Sequence, residues 1–407
     1  MVYWSIMKIY SESYGCTLNK SESGLFVNKL LNEGNELVDS PEDSDLCVIG
    51  TCVVVKKTEE KMYSRIQELS KYSKVKVIGC LATVNGGMLN GENIEVIDSK
   101  SFRSFYTGNL DGIEIKEPSI FDGIPINQGC TGSCNFCISH IARGKLISRS
   151  PEKIRNQIVM QLKRGLKEVR ISSLDTAAYG RDINLKLPDL IKQILLLKDE
   201  FALRVGMMEP KNTFDIIDDL MLCYRDARVF KFMHLPVQSG DDRILEAMNR
   251  EYDVNTFIDI VGKFRSTYED STLSTDIISG YHGDDEESHE KTMKLIERSR
   301  PDIINITRFS PRPYTPDYLT KPPASNLVKR WTREYSDLHK KILSENLEKN
   351  LGRIESILIT ENGKDDTMVG RDQAYRPVVL KSYLPLYSRV DVEIVGLGST
   401  YLIGRKV

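Results

Sequence analysis

Cysteines occupy positions 130, 134 and 137 of the segment Gly129-Cys130-Thr131-Gly132-Ser133-Cys134-Asn135-Phe136-Cys137, a C-x3-C-x2-C spacing in a glycine-containing loop. A closed zinc or iron–sulfur site built from cysteine alone uses four thiolates. Three thiolates on a cubane cluster leave one iron free for a substrate or cofactor, so the count points to a reactive centre. The alternative is a zinc knuckle completed by His140.

A second set of thiols is dispersed. Cys16, Cys52 and Cys80 each follow a strand-like run, at 8–13, 46–49 and 75–78. Strands of a parallel sheet end at one edge, where open α/β sheets place their ligands. Thiols far apart in the chain can therefore converge there; independent core thiols are the plainer reading. Cys47 lies inside a strand-like run and Cys223 on a helical one, and both read as buried core residues. These eight cysteines belong to a chain expected in the cytoplasm, where thiols stay reduced and clusters of them point to metal or catalysis rather than disulfides.

The elements that must position these groups follow from the pattern. At 407 residues the chain exceeds one hydrophobic core, so two or three domains are expected. Its 40% hydrophobic and 28% charged residues are those of an ordinary soluble protein, and a net charge of -2 excludes a wholesale basic coat for nucleic acid. Any RNA contact must be a local patch. There is no apolar run long enough for a bilayer and no secretion signal at the start, and residues 1–6 read as an extension without a structural role.

Strand and helix patterns alternate up to about residue 120, which predicts a small parallel-sheet α/β domain. A second series begins at 123–127, with strands at 168–173, 202–208, 229–235, 272–279 and 303–309. Six strands predict a partial (β/α)6 barrel rather than the closed eight-stranded form. A charged amphipathic helix over 326–350 precedes short alternating runs separated by glycines, a small all-β appendage. The fold class is α/β with domains at 7–120, 121–345 and 346–407.

The three-cysteine loop, with aromatic Phe136 before its last thiol, resembles the radical SAM superfamily, whose open iron chelates the amine and carboxylate of S-adenosylmethionine (SAM). With Tyr14-Gly15-Cys16-Thr17-Leu18-Asn19, Thr51-Cys52-Val53 and Gly79-Cys80-Leu81-Ala82 ahead of that loop, the sequence resembles the radical SAM methylthiotransferases over nearly its full length. Ala142-Arg143-Gly144-Lys145, Asp175-Thr176-Ala177-Ala178-Tyr179-Gly180-Arg181-Asp182 and Arg204-Val205-Gly206-Met207-Met208 resemble the archaeal and eukaryotic branch. His234-Leu235-Pro236-Val237-Gln238-Ser239-Gly240 and the run from Arg308 to Pro316 also look like family blocks. The departures are Gly50 in place of an asparagine, Leu174 in place of an acidic residue, and Gly280-Tyr281-His282-Gly283-Asp284-Asp285 in place of a Gly-Phe-Pro-Gly-Glu-Thr type of loop.

The resemblance implies an N-terminal cluster domain, a radical SAM barrel and a C-terminal TRAM domain that binds RNA. It also implies two [4Fe-4S] clusters. The one on Cys130, Cys134 and Cys137 would reduce SAM to a radical that removes hydrogen from C2 of an adenosine. The one on Cys16, Cys52 and Cys80 would carry the sulfur, its methyl group coming from a second SAM. The branch acts on N6-threonylcarbamoyladenosine beside the tRNA anticodon and takes electrons from a donor such as flavodoxin or ferredoxin. The C2–H bond is unactivated, which acid–base catalysis or a zinc hydroxide does not address.

For SAM, the Phe136 ring is expected near the adenine, and Ser172, Asp175, Glu209, Gln238 and Asp276 qualify by standing at the carboxyl ends of barrel strands. Arg143, Lys145 and Arg181 are candidates for the substrate carboxylate or a tRNA phosphate, because guanidinium groups pair bidentately with both; solvated or structural charge is the other use. The C-terminal domain offers Arg353, Arg371, Arg376, Lys381, Arg389, Arg405 and Lys406 among a comparable number of acids. Rival readings are the same chemistry on an isopentenyl-type adenosine or a ribosomal protein residue, against which the run from Asp175 to Asp182 argues, and a non-enzymatic iron–sulfur or zinc scaffold that binds tRNA.

Overall fold

The computed structural model describes residues 6–108 and 113–407, so residues 1–5 of the terminal extension lie outside the described residues. The chain forms two compact units, Met1–Leu185 with Ser310–Leu319, and Lys186–Phe309 with Thr320–Val407.

The first unit opens with β1 (Lys8–Ser13), α1 (Thr17–Asn32), β2 (Glu36–Leu37), β3 (Leu46–Thr51), α2 (Lys56–Leu69), β4 (Lys74–Gly79), α3 (Cys80–Val84), β5 (Ile94–Val96) and α4 (Ser99–Gly108). The strands make one parallel sheet in the order β2-β1-β3-β4-β5. Every residue of β3 is buried, as expected of a central parallel strand covered on both faces. The strand-like runs before Cys16, Cys52 and Cys80 are β1, β3 and β4. The edge strands β2 and β5 are too short to show a period.

The unit continues with β6 (Ile124–Pro125), β7 (Asn127–Gln128), α5 (Ile138–Arg143), β8 (Ile147–Ser148), α6 (Pro151–Lys163) and β9 (Glu168–Ser172). The single strand expected over 123–127 is divided. β6 runs parallel to β9, whereas β7 pairs antiparallel with β8. The exchange occurs at Ile126, whose N–H goes to the Ser172 carbonyl (3.0 Å) while its own carbonyl accepts from Arg149 N–H (2.9 Å). α5 carries Ile138 and Ala142 on one face, four residues apart, and both join the buried cluster containing Val53, Met62, Val77 and Leu81. The segment Ser310–Leu319 braces this unit from the far end of the chain. Buried Arg312 pairs with Glu59 of α2, and Asp317 N–H reaches the Asn135 carbonyl at 3.2 Å.

The second unit contains α7 (Leu187–Leu195), β10 (Ala202–Val205), α8 (Pro210–Phe214), α9 (Ile217–Cys223), β11 (Phe232–His234), α10 (Asp242–Ala247), α11 (Val254–Thr267), β12 (Thr272–Ser279), α12 (Glu286–Ser299), β13 (Ile303–Arg308) and α13 (Ser325–Glu348). β11, β12 and β13 form a parallel sheet. The strand expected over 229–235 pairs with β12 only from Phe232, because its earlier backbone is used elsewhere: Phe230 N–H bonds to the Leu203 carbonyl (3.0 Å) and Lys231 N–H to the Gln373 carbonyl (2.8 Å).

Gln373 belongs to the C-terminal appendage, where β14 (Ile354–Asn362), β15 (Thr367–Arg371), β16 (Pro377–Lys381), β17 (Arg389–Leu397) and β18 (Leu402–Lys406) close into a barrel in the order β14-β15-β16-β18-β17. Leu343 and Leu347 of α13 complete its core. The Tyr375 ring packs against Phe230 and Phe232 (centroids 4.8 and 5.3 Å apart) and beneath the Arg204 and Arg371 guanidinium groups. Arg376 bonds to Asp372 and Asp270. The comparable number of acids noted in the sequence is placed against the basic residues: Arg353, Arg371, Arg376, Arg389 and Arg405 each lie within ion-pair distance of an acid. Among the described residues, no helix is long and apolar enough to cross a membrane.

The unusual run at 280–285 is organised by Asp284. Its carboxylate accepts the N–H groups of Gly280 (2.9 Å) and Tyr281 (2.8 Å) and the Ser288 hydroxyl (2.9 Å). Burial nevertheless pushes that carboxyl up from 3.8 to about 6.

Tyr375→Ala should cost about 2–3 kcal/mol of unfolding free energy by removing the ring from this junction. Denaturant unfolding measures the loss, and a change within error of zero would show that the ring does not anchor the barrel. Asp284 binds its proton more tightly in the native state than in the unfolded chain. Its contribution is therefore present below about pH 4 and lost as pH rises through about 6, a change of about 3 kcal/mol. Urea unfolding across that window should show a decline that Asp284→Asn flattens; identical profiles would contradict it.

Candidate active site

Three strand ends meet at one asparagine. Asn19, on the first turns of α1, donates through Nδ2 to the carbonyls of Tyr14 (2.5 Å) and Thr51 (3.1 Å), the residues that end or follow β1 and β3 just before Cys16 and Cys52. Its Oδ1 lies 2.5 Å from where a Cβ on Gly79 would stand, at the end of β4 just before Cys80. Gly79 has φ +95°, where a side chain is strained as well as obstructed. Gly15 has the same function on the other side: a Cβ there would lie 2.9 Å from Cys52 Cβ and 3.3 Å from its Sγ. The departure at Gly50 has a local cause. A Cβ at that position would run into the hydroxyls of Ser13 and Ser23, which are themselves hydrogen-bonded at 3.2 Å.

The three thiols are close enough for one another's charge to be felt, and burial and that charge, chiefly from Cys80, lift Cys16 to about 11. Cys16 is exposed, yet burial is the leading cause of this shift. Burial raises Cys52 likewise, with Cys80 adding to it. Cys47 and Cys223 are buried, in β3 and at the end of α9.

Beside these strand ends lies a buried ion pair. Arg143, the last residue of α5, binds the Glu22 carboxylate and donates from Nη2 to Asn19 Oδ1 at 2.8 Å. The Glu22 and Arg143 side chains are 4% and 3% exposed. Gln128 reaches the other oxygen of Glu22 at 3.5 Å, and Ser172 donates to Ser21 at 3.2 Å. Burial pushes the Glu22 carboxyl up and Arg143 opposes it. Arg143, a sequence candidate for a substrate carboxylate or a tRNA phosphate, is therefore a buried partner of the first domain: it is sealed from solvent and already bound to an acid.

The loop of Cys130, Cys134 and Cys137 is sewn down at both ends. Cys130 N–H bonds to the Gly144 carbonyl (3.1 Å), and Gly129, at φ +79°, presses against the Lys145 backbone. Cys137 caps α5, its sulfur accepting His140 N–H at 3.4 Å. A point 3.5 Å from Cys130 Sγ lies 3.7 Å from Cys134 Sγ, at an imagined Cβ of Gly132, so these sulfurs border one space that glycine leaves open. Burial first, then the Gly132 N–H against it and the Asp175 charge with it, set the Cys130 thiol at about 12. Among the described residues, no three His, Cys, Asp or Glu side chains close on a single point as ligands of one ion would. The donor set fits a cluster that spreads its thiolates, with three soft sulfurs per site.

The remaining candidates divide by unit. In the first, Ser172 and Asp175 are buried, and Asp175 Oδ1 accepts Ala177 N–H at 3.0 Å; Phe136 is half-buried in the loop, and Lys145 and Arg181 are exposed. In the second, Glu209 caps α8 through Asn212 N–H (3.1 Å) and faces Arg250 (3.7 Å). Gln238 is buried at φ +71°. Asp276 accepts from Asn305 (2.7 Å) and pairs with His234 (3.1 Å). Although burial works against it, these partners hold the Asp276 carboxyl below its ordinary value. Sequence reasoning missed Asn19, Glu22, His234 and Asn305. Asn19 and His234 stood inside quoted motifs; Glu22 had no signal beyond a carboxylate on a helix whose buried residues also include Asn19, Ser21, Ser23 and Asn28.

Residues 8–98 match the model of an uncharacterized protein family, UPF0004, and residues 124–296 that of the radical SAM superfamily. The chain is 35% identical, over 98% of its length and 99% of the relative's, to a probable threonylcarbamoyladenosine tRNA methylthiotransferase of Pyrococcus horikoshii. It is 36% identical, over 89% of each chain, to a protein of the same description from Methanocaldococcus jannaschii. It is 29% identical, over 98% of its length and 77% of the relative's, to the threonylcarbamoyladenosine tRNA methylthiotransferase of Drosophila pseudoobscura pseudoobscura. Among solved structures, the radical SAM methyltransferase TsrM of Kitasatospora setae aligns with a TM-score of 0.56 over 77% of each chain at 12% identity, a likeness of fold.

Asn19→Ala should destabilise the chain by about 2–3 kcal/mol, since it leaves buried acceptors and an Arg143 N–H unsatisfied. Asn19→Asp should do no better, because it turns a carboxylate oxygen toward two carbonyls. Chemical denaturation of both variants checks this, and a fully stable Asp variant would sink the assignment.

Proposed function

The chain belongs to the threonylcarbamoyladenosine tRNA methylthiotransferase family, and on that premise we propose that it converts N6-threonylcarbamoyladenosine beside the tRNA anticodon into its 2-methylthio derivative. The observation that carries this reading is the pair of three-thiol sites in one compact unit, joined by the short helix α5. Cys130, Cys134 and Cys137 would hold one [4Fe-4S] cluster and Cys16, Cys52 and Cys80 the other. When bound, the clusters and SAM supply the one-electron chemistry, the sulfur and the methyl group that an unactivated C2–H bond requires.

The chain's own residues prepare the two places. Gly15 and Gly132 keep side chains out of the spaces that the sulfurs border, and Gly79 leaves room for Asn19 and Thr51 to close on the end of β4. Asn19 holds the strand ends in register, and the backbone of Gly144 and Lys145 fixes the start of the second loop. Phe136, Ser172, Asp175, Glu209, Gln238 and Asp276 are the proposed contacts of SAM, and exposed Lys145 and Arg181 those of the substrate carboxylate or a phosphate.

Division into functional domains at 7–120, 121–345 and 346–407 accompanies this reading. tRNA is the macromolecular partner, contacted in part by the C-terminal barrel. With so many of its arginines paired to acids, that contact would rest on few free charges and on main-chain and aromatic groups. A flavodoxin or ferredoxin would deliver electrons in the cytoplasm.

Mass spectrometry of tRNA nucleosides from cells with and without this gene tests the proposal. The 2-methylthio form should disappear on deletion and return with the wild-type gene. Neither Cys134→Ala nor the combined Cys16→Ala, Cys52→Ala and Cys80→Ala replacement should restore it. A nucleoside profile unaffected by deletion would refute the substrate, and restoration by the latter variant would refute the donor role of its cysteines.

A further inference from the structure

The two thiol sites are joined by more than chain. α5 has the Cys137 sulfur as its N-cap and Arg143 as its last residue. Ile138 and Ala142 fasten it to the core that also contains Cys80. The Arg143 guanidinium is held by Glu22 and Asn19, and Asn19 in turn donates to the carbonyls of Tyr14 and Thr51 and lies against Gly79, so the cation stands beside the strand ends that carry Cys16, Cys52 and Cys80, close enough for the charges of Cys80 and Cys16 to act on it. Its Nε is buried without a hydrogen-bond partner. A buried cation with a donor to spare, clamped in place by an acid and an amide, faces three groups that are anionic once they ligate a metal.

We propose that Arg143 is a positioning residue for the auxiliary cluster: it donates to the Cys80 thiolate and sets a fixed positive charge beside the iron–sulfur group held by Cys16, Cys52 and Cys80. This rests on the assignment of a cluster to those cysteines. A hydrogen bond and a cation at a cluster sulfur favour the more negative, reduced state, and so raise the reduction potential. Glu22 then acts as a counter-charge. It holds the arginine, and being engaged by the guanidinium and Gln128 it keeps its own negative charge from the thiolates.

The test isolates this cluster in a chain carrying Cys130→Ala, Cys134→Ala and Cys137→Ala, reconstituted anaerobically with iron and sulfide. Iron content, electron paramagnetic resonance of the reduced state and a potentiometric titration are then read. In that background Arg143→Gln should move the potential to more negative values and alter the resonance, while Arg143→Lys, which keeps the charge, should restore most of the potential. Because Arg143→Gln strands a buried carboxylate, the double variant Glu22→Gln with Arg143→Gln, which removes both charges, is measured alongside. It should fold and show the same negative shift. An unchanged potential and spectrum in a folded double variant, with the cluster bound, would overturn the role of Arg143 alone. Absence of any cluster from the parent triple-alanine chain would overturn the cluster assignment and the inference together.

Discussion

A buried ion pair between α1 and α5 is the constraint on which the rest of the first unit depends. Glu22 and Arg143 have both left water, a loss that their attraction offsets only with good geometry and with their remaining donors and acceptors engaged. Asn19 and Gln128 provide that engagement. Asn19 is also the residue that ties the carbonyls ahead of Cys16 and Cys52, so the energetics of one salt bridge and the register of two strand ends are the same problem. Removing one partner of such a pair typically costs about 3–5 kcal/mol. Here that cost would fall where the thiols must converge.

Around this pair, side-chain volume is excluded as deliberately as it is supplied elsewhere. Gly79 is hemmed by Asn19 and Thr51, Gly15 by Cys52, and Gly129 by the Lys145 carbonyl. Positive φ at each excludes ordinary residues a second time. The second unit stabilises itself by different means. Its junction with the C-terminal barrel is aromatic and cationic, with Tyr375 between Phe230, Phe232 and two arginines.

The two cysteine trios stood out in the sequence because one shares a single loop and the other follows successive strand-like runs, and the structure does end β1, β3 and β4 just ahead of Cys16, Cys52 and Cys80 as parallel strands must. The α/β series was legible from its period, and so were the helix before the appendage and the barrel's short alternating strands. β2 and β5 were not, since two or three residues carry no period. The strand expected over 123–127 and the one over 229–235 show a different limit: a strand-like run says nothing of how many partners share its backbone, and the first is divided between two and the second among three. The role of Arg143 was hidden for a related reason. Its motif marked it as a cation worth attention, but whether it meets a ligand or a buried glutamate depends on a helix more than a hundred residues earlier, Thr17–Asn32.

The bonds from Lys231 to Gln373 and from Arg376 to Asp270 make the C-terminal barrel part of the same solid piece as β11 and β12. A module on a tether samples many distances; a module fastened through backbone and paired charge offers one. A nucleic acid gripped by this barrel would present its nucleotides to those strands at a constant reach.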